Sequence, residues 1–283
     1  MITADPAARA DRFCELNAAG HLLLPNAWDA ASARVFEKAG FPAIGTTSGG
    51  IANARGLPDG EVIGRDRMLE EVRTIVRAVR VPVTADIEAG YGDTVEDVIR
   101  TVAGVLDAGA VGVNLEDRVY GRDPVGMYSL ADQQSRIAAA RGQADRHGIP
   151  LLINARTDTF LLALGADLEA RLALTVERGN AYLRSGADVV FVPGVVDAAS
   201  IRRLADALDG PLSVMALPGA PDAATLFAAG AVRVSLGNIA MLAVLGALDT
   251  IAKEVASTGS WASIERSFYG FAEAEALFAE VPA

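Results

Sequence analysis

The chain has 283 residues, 51% of them hydrophobic, which is enough for one large domain or two small ones with a sizeable core. Its 25 basic and 36 acidic residues give a formal net charge of −11. Such an acidic chain disfavours nucleic acid or an anionic membrane as a partner, because both bind clustered Lys and Arg. The single cysteine, Cys14, permits no internal disulfide, which is typical of a reducing compartment.

The N-terminus shows no basic head followed by an apolar run, so no secretory signal is predicted. The longest apolar stretch, 234–248, is shorter than the roughly 20 residues that a bilayer requires. These features predict a cytoplasmic protein.

A repeated pattern runs along the chain: a helical segment, a stop at glycine or proline, then a short apolar segment. The apolar segments predict eight strands, at 22–26, 43–47, 83–88, 112–116, 151–157, 189–193, 212–217 and 232–236. Their nearly continuous hydrophobicity is typical of parallel strands covered by helices, such as those expected at 65–79 and 94–106. No dinucleotide fingerprint or phosphate loop supports the rival doubly wound sheet. The sequence therefore predicts an α/β protein, a single (β/α)8-barrel domain over residues 1–283.

Two helical segments follow the eighth strand, at 239–257 and 261–279, and residues 260–283 form a predicted C-terminal helical extension. The second segment is rich in aromatic residues, including Trp261, Phe268 and Phe271. Packing on its own barrel and burial against a partner subunit explain this surface about equally well.

In a barrel of this kind the reacting groups lie at the carboxyl ends of the strands. There the third strand carries Asp86 and Glu88, which strand alternation would point to one side, and the fourth carries Glu116. Asp59 lies in the loop after the second strand. Converging carboxylates repel one another, and a hard dication such as Mg²⁺ would relieve the repulsion. Salt bridges to arginines such as Arg156 are the alternative.

The segment Ser48-Gly49-Gly50 follows the second strand, and its small residues let backbone N–H groups approach an anion, although a tight turn explains them equally well. Arg156 ends the fifth strand and has the geometry to clamp a carboxylate, or to neutralise Asp158 or Glu116. Histidine catalysis is disfavoured because His21 and His147 lie at the opposite end of the barrel. Schiff-base chemistry is disfavoured because Lys38 and Lys253 lie on helices.

These strand ends resemble the isocitrate lyase/phosphoenolpyruvate mutase superfamily. The resemblance covers most of the chain and rests on six segments that follow one another in the family's order: 25–29 (PNAWD), 47–50 (TSGG), 57–59 (LPD), 85–92 (ADIEAGYG), 115–117 (LED) and 153–158 (INARTD).

The resemblance implies a Mg²⁺-dependent enzyme, with Mn²⁺ as an alternative ion, that acts on a small 2-oxo acid or 2-hydroxycarboxylate. It implies that the metal is held by Asp59, Asp86, Glu88 and Glu116. It also implies that the substrate meets Trp28, Ser48, Gly49, Gly50 and Arg156. A homotetramer built as a dimer of dimers, with a C-terminal helix exchanged between barrels, is implied as well.

The sequence departs from the family pattern at several positions. The loop 116–129 lacks the cysteine that lyases of this family use as an acid, and Arg118 stands where mutases and phosphonopyruvate hydrolases have a lysine. Glu88 replaces the usual Asp, and the extra methylene predicts water-mediated metal contact or a displaced ion. After the sixth strand the lyases' glutamate is missing. Isocitrate and methylisocitrate cleavage in their familiar form are therefore disfavoured.

The resulting hypothesis is a Mg²⁺-dependent C–C lyase that proceeds through a metal-stabilised enolate. Arg156, Glu116 and Tyr120 are its catalytic candidates, although Tyr128 or a metal-bound water would serve equally well for proton transfer. The alternatives are C–P bond chemistry and a catalytically inactive 2-oxo acid binding protein. A phosphosugar isomerase is a weaker alternative, because it leaves the acidic strand ends unexplained.

Overall fold

The computed structural model describes residues 5–121 and 126–279. Residues 1–4, 122–125 and 280–283, which belong to the predicted domain, loop and C-terminal extension, lie outside the described residues. The described strands are Leu22–Leu24 (β1), Asn26–Ala27 (β2), Ile44–Thr46 (β3), Val83–Asp86 (β4), Gly112–Glu116 (β5), Arg118–Val119 (β6), Gly126–Met127 (β7), Leu152–Arg156 (β8), Val189–Val192 (β9), Leu212–Met215 (β10) and Ala231–Ser235 (β11). All eight predicted strands are present, so the predicted barrel is confirmed.

The parallel sheet runs in the order β1-β11-β10-β9-β8-β5-β4-β3-β2, and β6 and β7 form a separate antiparallel pair. β1 and β2 are the two halves of the first barrel strand, interrupted at Pro25, which has no N–H to donate. Asn26 joins the two ends of the sheet: its amide donates to the Thr46 carbonyl at 2.9 Å, and its oxygen accepts from the Leu236 and Gly237 N–H groups at 3.0 and 2.9 Å. The first strand closes the barrel by pairing with β11 and β3, and the Asn26 side chain reinforces this closure.

Helices cover the outside of the barrel. They are Pro6–Ala18 (α1), Ala30–Lys38 (α2), Ser48–Ala54 (α3), Arg65–Ala78 (α4), Val95–Asp107 (α5), Leu130–His147 (α6), Leu168–Arg184 (α7), Ala198–Ala207 (α8), Ala223–Ala228 (α9), Ile239–Thr258 (α10), Ala262–Ser267 (α11) and Phe271–Ala279 (α12). Many begin at a Ser, Thr or Asp whose side chain accepts from the first turn, as Thr94 does for α5. None of the described helices combines the length and the apolar character needed to cross a membrane.

The inside of the barrel is apolar at its amino end and polar toward its carboxyl end. Phe13 of α1 is fully buried there and lies against Gly112, where an added Cβ would be 2.8 Å from the Phe13 ring. Above it, Asn154 donates to Asn114 at 2.7 Å, and the fully buried Arg233 reaches the same Asn114 oxygen at 3.4 Å. Burial lowers the pKa of Arg233 to about 9. This polar layer supports the strand ends that carry the predicted site.

The second C-terminal helix predicted over 261–279 is two helices, α11 and α12, separated by residues 268–270. Gly270 has φ +87°, a left-handed conformation that interrupts a helix and that glycine adopts without strain. α12 packs on α2 of its own barrel, where Arg34 donates to the Leu277 carbonyl from two nitrogens at 3.0 and 2.6 Å. In the described chain this segment therefore contacts its own barrel.

Candidate active site

Asp86 ends β4 at the mouth of the barrel and is held by the start of α3. Ser48 donates to one Asp86 oxygen, Oδ2, from both its N–H at 3.0 Å and its hydroxyl at 2.9 Å. The other oxygen, Oδ1, is buried without a hydrogen-bond partner. Ser48–Gly50 form the first turn of a short helix capped by Thr47, so the anion-binding loop expected here is a helix start that already holds a carboxylate.

Asp59 lies beside Asp86, on the loop between α3 and α4. Asp59 also packs against Gly49. A Cβ added to Gly49 would lie 3.2 Å from Asp59 Oδ2, so glycine at this position leaves the space that the Asp59 side chain needs. Burial, and then the charge of Asp86, raises the pKa of Asp59. The two carboxylates therefore share a partly buried region in which a second negative charge is unfavourable.

Glu88 lies beyond the end of β4 with φ +49°, so the strand alternation expected to orient its side chain does not extend to it. Its Oε2 instead accepts from the Gly60 and Glu61 N–H groups at 2.9 and 2.6 Å. Its Oε1 accepts from the Tyr91 hydroxyl at 2.7 Å. Burial, reinforced by the charge of Asp59, raises the pKa of Glu88 to about 8.

Arg156, at the end of β8, lies between two acids. It donates to both oxygens of Asp158, at 2.6 and 3.0 Å, and its Nη1 lies 2.6 Å from Glu116 Oε2. Burial raises the pKa of Glu116, an effect that Arg156 opposes. Arg156 therefore neutralises Asp158 and Glu116, as the alternative interpretation expected, and 15% of its side chain remains exposed at the mouth.

Of the two candidate tyrosines, Tyr120 lies at this site. Its hydroxyl donates to Glu116 Oε1, and its ring packs on Gly60, where an added Cβ would be 3.0 Å from two ring carbons. Burial, and then the charge of Glu116, raises the pKa of Tyr120 above its ordinary value. Tyr128 instead donates to Asp93 at 3.0 Å, and Arg136 lies 4.2 Å above its ring.

Trp28 and the glycines of α3 form another wall of the site. A Cβ added to Gly50 would lie 2.9 Å from Trp28 Cβ and 3.2 Å from Asn238 Oδ1. That Asn238 oxygen is buried and has no hydrogen-bond partner. Local sequence pattern does not indicate this approach of Asn238 to α3, because it depends on the closure of the barrel.

A fully buried carboxylate, Asp117, connects the site to α7. Its Oδ1 accepts from the Asp158 N–H at 3.0 Å. Its Oδ2 accepts from Arg178 Nε at 2.8 Å and from the Tyr182 hydroxyl at 2.7 Å. Asp117 thus fixes the backbone of the residue that holds Arg156.

The residues at the mouth fit a magnesium ion that keeps most of its water. Asp86 Oδ1 is a buried carboxylate oxygen without a hydrogen-bond partner, and Asp59 is a second carboxylate near enough for the charge of Asp86 to raise its pKa. Among residues 5–121 and 126–279, no group of three or more Asp, Glu, His or Cys side chains is arranged to hold an ion directly. Mg²⁺ usually binds through one or two carboxylates and several waters, which agrees with this arrangement.

In (β/α)8-barrel enzymes the reacting groups lie at the carboxyl ends of the strands, and in this chain those ends carry Asp86, Glu116 and Arg156. The family model for phosphoenolpyruvate phosphomutase matches residues 13–256. The chain therefore belongs to this family, within the isocitrate lyase/PEP mutase superfamily, and is an enzyme of its lyase and mutase type.

Two relatives and one solved structure show the similarity. The chain is 31% identical to 2-methylisocitrate lyase of Halalkalibacterium halodurans, over 72% of this chain and 66% of that protein. It is 30% identical to oxaloacetate decarboxylase of Bradyrhizobium diazoefficiens, over 76% and 73% of the two chains. A Burkholderia cenocepacia J2315 structure assigned as a lyase/mutase superposes with a TM-score of 0.90, at 34% identity over 97% and 98% of the two chains.

Proposed function

We propose that the protein is a Mg²⁺-dependent lyase that cleaves a C–C bond in a small 2-oxo acid or 2-hydroxycarboxylate. The observation that carries the proposal is the arrangement at the barrel mouth. There Asp86, with one unpartnered oxygen, lies near enough to Asp59 for its charge to raise the pKa of Asp59, and Glu116 and Arg156 end the next two strands of the sheet. The site combines oxygen donors for a dication with a guanidinium for a substrate carboxylate.

Asp86 and Asp59 would hold the ion, directly or through water, with Glu116 close by. When bound, Mg²⁺ supplies positive charge where the 2-oxygen of the substrate becomes negative as the bond breaks. Ser48 orients the Asp86 carboxylate, because both Ser48 donors bind Oδ2. Oδ1 is therefore left without a hydrogen-bond partner and is free to face an ion.

Arg156 would orient the substrate carboxylate. Its bidentate contact with Asp158 fixes the plane of the guanidinium, so an incoming carboxylate meets a preorganised donor. Trp28, Gly49 and Gly50 would form the facing wall. The glycines let Asp59, Asn238 and Trp28 pack closely against α3, since added Cβ atoms there would contact these residues.

Tyr120 is the proton-carrying group that the geometry favours. Burial keeps its hydroxyl protonated, and the hydroxyl donates that proton in a hydrogen bond to Glu116, which ends β5 at the mouth. Bond cleavage leaves a carbon that must gain a proton, and a hydroxyl held at the site is able to supply it. Decarboxylation and retro-aldol cleavage of a 2-oxo acid rank above cleavage by the family's cysteine-dependent route, because loop 116–129 contains no cysteine.

We further propose that the active form is a homo-oligomer. Several large apolar side chains of α10 are exposed, including Leu242, Val244 and Leu248 at 52%, 50% and 58%. Trp261 and Phe271 of the C-terminal segment are 62% and 81% exposed. Apolar surface of this extent is typical of a subunit interface.

The test of the activity is proton and phosphorus NMR of the protein with Mg²⁺ and a substrate panel: oxaloacetate, methylisocitrate, isocitrate, citramalate, phosphonopyruvate and phosphoenolpyruvate. We expect the NMR signals of one panel member to disappear through cleavage of a C–C bond, and we expect EDTA to stop the reaction. Glu116→Gln and Asp86→Ala should each reduce turnover at least about a hundredfold. The control Glu70→Gln, on an exposed position of α4, should retain activity.

Two results would contradict this proposal. Consumption of phosphonopyruvate or phosphoenolpyruvate alone would assign C–P chemistry. Binding of oxalate without turnover of any panel member would indicate a 2-oxo acid binding protein. Melting temperatures of the variants close to that of the wild type would show that lost turnover is not lost folding.

A further inference from the structure

Glu88 differs from Asp86, whose Oδ1 has no hydrogen-bond partner, because donors occupy both oxygens of Glu88. Oε2 accepts from two consecutive backbone N–H groups, those of Gly60 and Glu61, and so has both lone pairs in use. Oε1 accepts from the Tyr91 hydroxyl. The two N–H groups directly follow Asp59, so Glu88 is attached to the loop that carries a candidate ion-binding residue.

The attachment is reciprocal. Glu61 Oε1 accepts from the Tyr91 N–H at 2.6 Å, so the loop also binds the segment that follows β4. Glu61, Glu88 and Tyr91 have φ values of +63°, +49° and +58°. A left-handed conformation costs a non-glycine residue about 1–2 kcal/mol, so three such residues at one junction indicate that these contacts hold the backbone.

We propose that Glu88 is a positioning residue, which fixes the Asp59 loop against the end of β4, and that it is not an ion ligand. Glu88 is 1% exposed. Its side chain accepts hydrogen bonds from backbone N–H groups of the loop, so this attachment does not depend on the side chains of Gly60 and Glu61. The effect of Glu88 on ion binding rests on the proposed metal-dependent function. The attachment of the Asp59 loop by Glu88 does not.

The length of the side chain explains why this position is Glu rather than Asp. An aspartate would end about 1.5 Å short, one C–C bond, and would stretch the 2.6 and 2.9 Å bonds beyond hydrogen-bond range. A glutamine keeps the reach. Its oxygen is able to accept from Gly60 and Glu61, while its NH₂ group donates to the Tyr91 oxygen.

The substitutions Glu88→Gln and Glu88→Asp therefore distinguish a loop-positioning role from an ion-ligand role. If Glu88 positions the loop, Glu88→Gln is tolerated and Glu88→Asp is damaging, because reach matters and charge does not. If Glu88 is an ion ligand, Glu88→Asp is tolerated and Glu88→Gln is damaging, because a neutral amide oxygen binds a dication less well than a carboxylate.

The first measurement is amide hydrogen exchange of EDTA-treated protein, read at Gly60 and Glu61. The second is Mn²⁺ binding followed by electron paramagnetic resonance. We expect Glu88→Gln to stay within about threefold of the wild type in both. We expect Glu88→Asp to increase exchange at these amides at least tenfold and to weaken Mn²⁺ binding at least fivefold. Tyr91→Phe, which removes one bond and no carboxylate, should increase the exchange by less.

A tenfold or greater loss of Mn²⁺ affinity in Glu88→Gln would overturn the proposal, and so would unchanged amide protection in Glu88→Asp. Glu70→Asp, on the exposed face of α4, controls for shortening an acidic side chain. If the wild type binds no Mn²⁺, the proposed metal dependence fails, but the exchange rates of the two Glu88 variants still decide whether Glu88 holds the loop.

Discussion

The substitution Asp117→Asn tests whether the buried network beneath the mouth holds the site together. Asp117 is fully buried and accepts from three donors: the Asp158 N–H, Arg178 and the Tyr182 hydroxyl. Asparagine has the same shape but only one acceptor oxygen, so its NH₂ group must face a donor. The guanidinium of Arg178, with 7% of its side chain exposed, would also lose its ion-pair partner.

Removing one partner of a buried ion pair costs about 3–5 kcal/mol. At about 2–4 °C per kcal/mol for a large domain, the melting temperature should fall by about 10 °C. The free energy of unfolding would be measured by urea titration followed by circular dichroism. Asp145→Asn, on an exposed position of α6, should change the free energy by less than about 0.5 kcal/mol.

The double variant Asp117→Asn/Arg178→Met refines this test, because it removes the unpaired cation together with its partner. We expect it to be more stable than Asp117→Asn alone. A loss below about 1 kcal/mol in the single variant would refute the view that this network carries a buried charge. A double variant no more stable than the single one would show that the lost contacts to Asp158 and Tyr182 dominate.

The remaining predictions concern pH and assembly. Burial raises the pKa of Asp59 and Glu116, and that of Glu88 to about 8, so the native state keeps protons that the unfolded chain has released above about pH 4.5. The melting temperature of EDTA-treated protein should therefore fall between pH 5 and about pH 8, and Mg²⁺ should raise it more at pH 8; a flat or rising profile would contradict the assigned shifts. In sedimentation velocity the wild type should exceed the monomer mass and Leu248→Glu, at a 58% exposed position, should shift toward monomer; a monomeric wild type would contradict the proposed oligomer.

Several residues of the site were predictable because they stand at recognisable places in the sequence pattern. Asp86, Glu116 and Arg156 each end an apolar segment, and the ends of parallel strands meet at one side of a barrel. Period-two alternation orients side chains while a strand lasts. It does not extend to Glu88, since β4 ends at Asp86 and the next residues take conformations set by tertiary contacts.

The sequence by itself determined the eight strands, the helices between them and the acidic carboxyl ends, because local hydrophobic periodicity and stop residues are written in neighbouring positions. Only the tertiary structure decided which of those groups pair. Arg156 lies between Glu116 and Asp158, Tyr120 rather than Tyr128 reaches the site, and Glu88 binds backbone groups about 28 residues earlier in the chain. Hydrogen bonds and ion pairs require atoms from segments that are remote in sequence to lie about 3 Å apart, within a few tenths of an ångström, and only the closed barrel sets those distances.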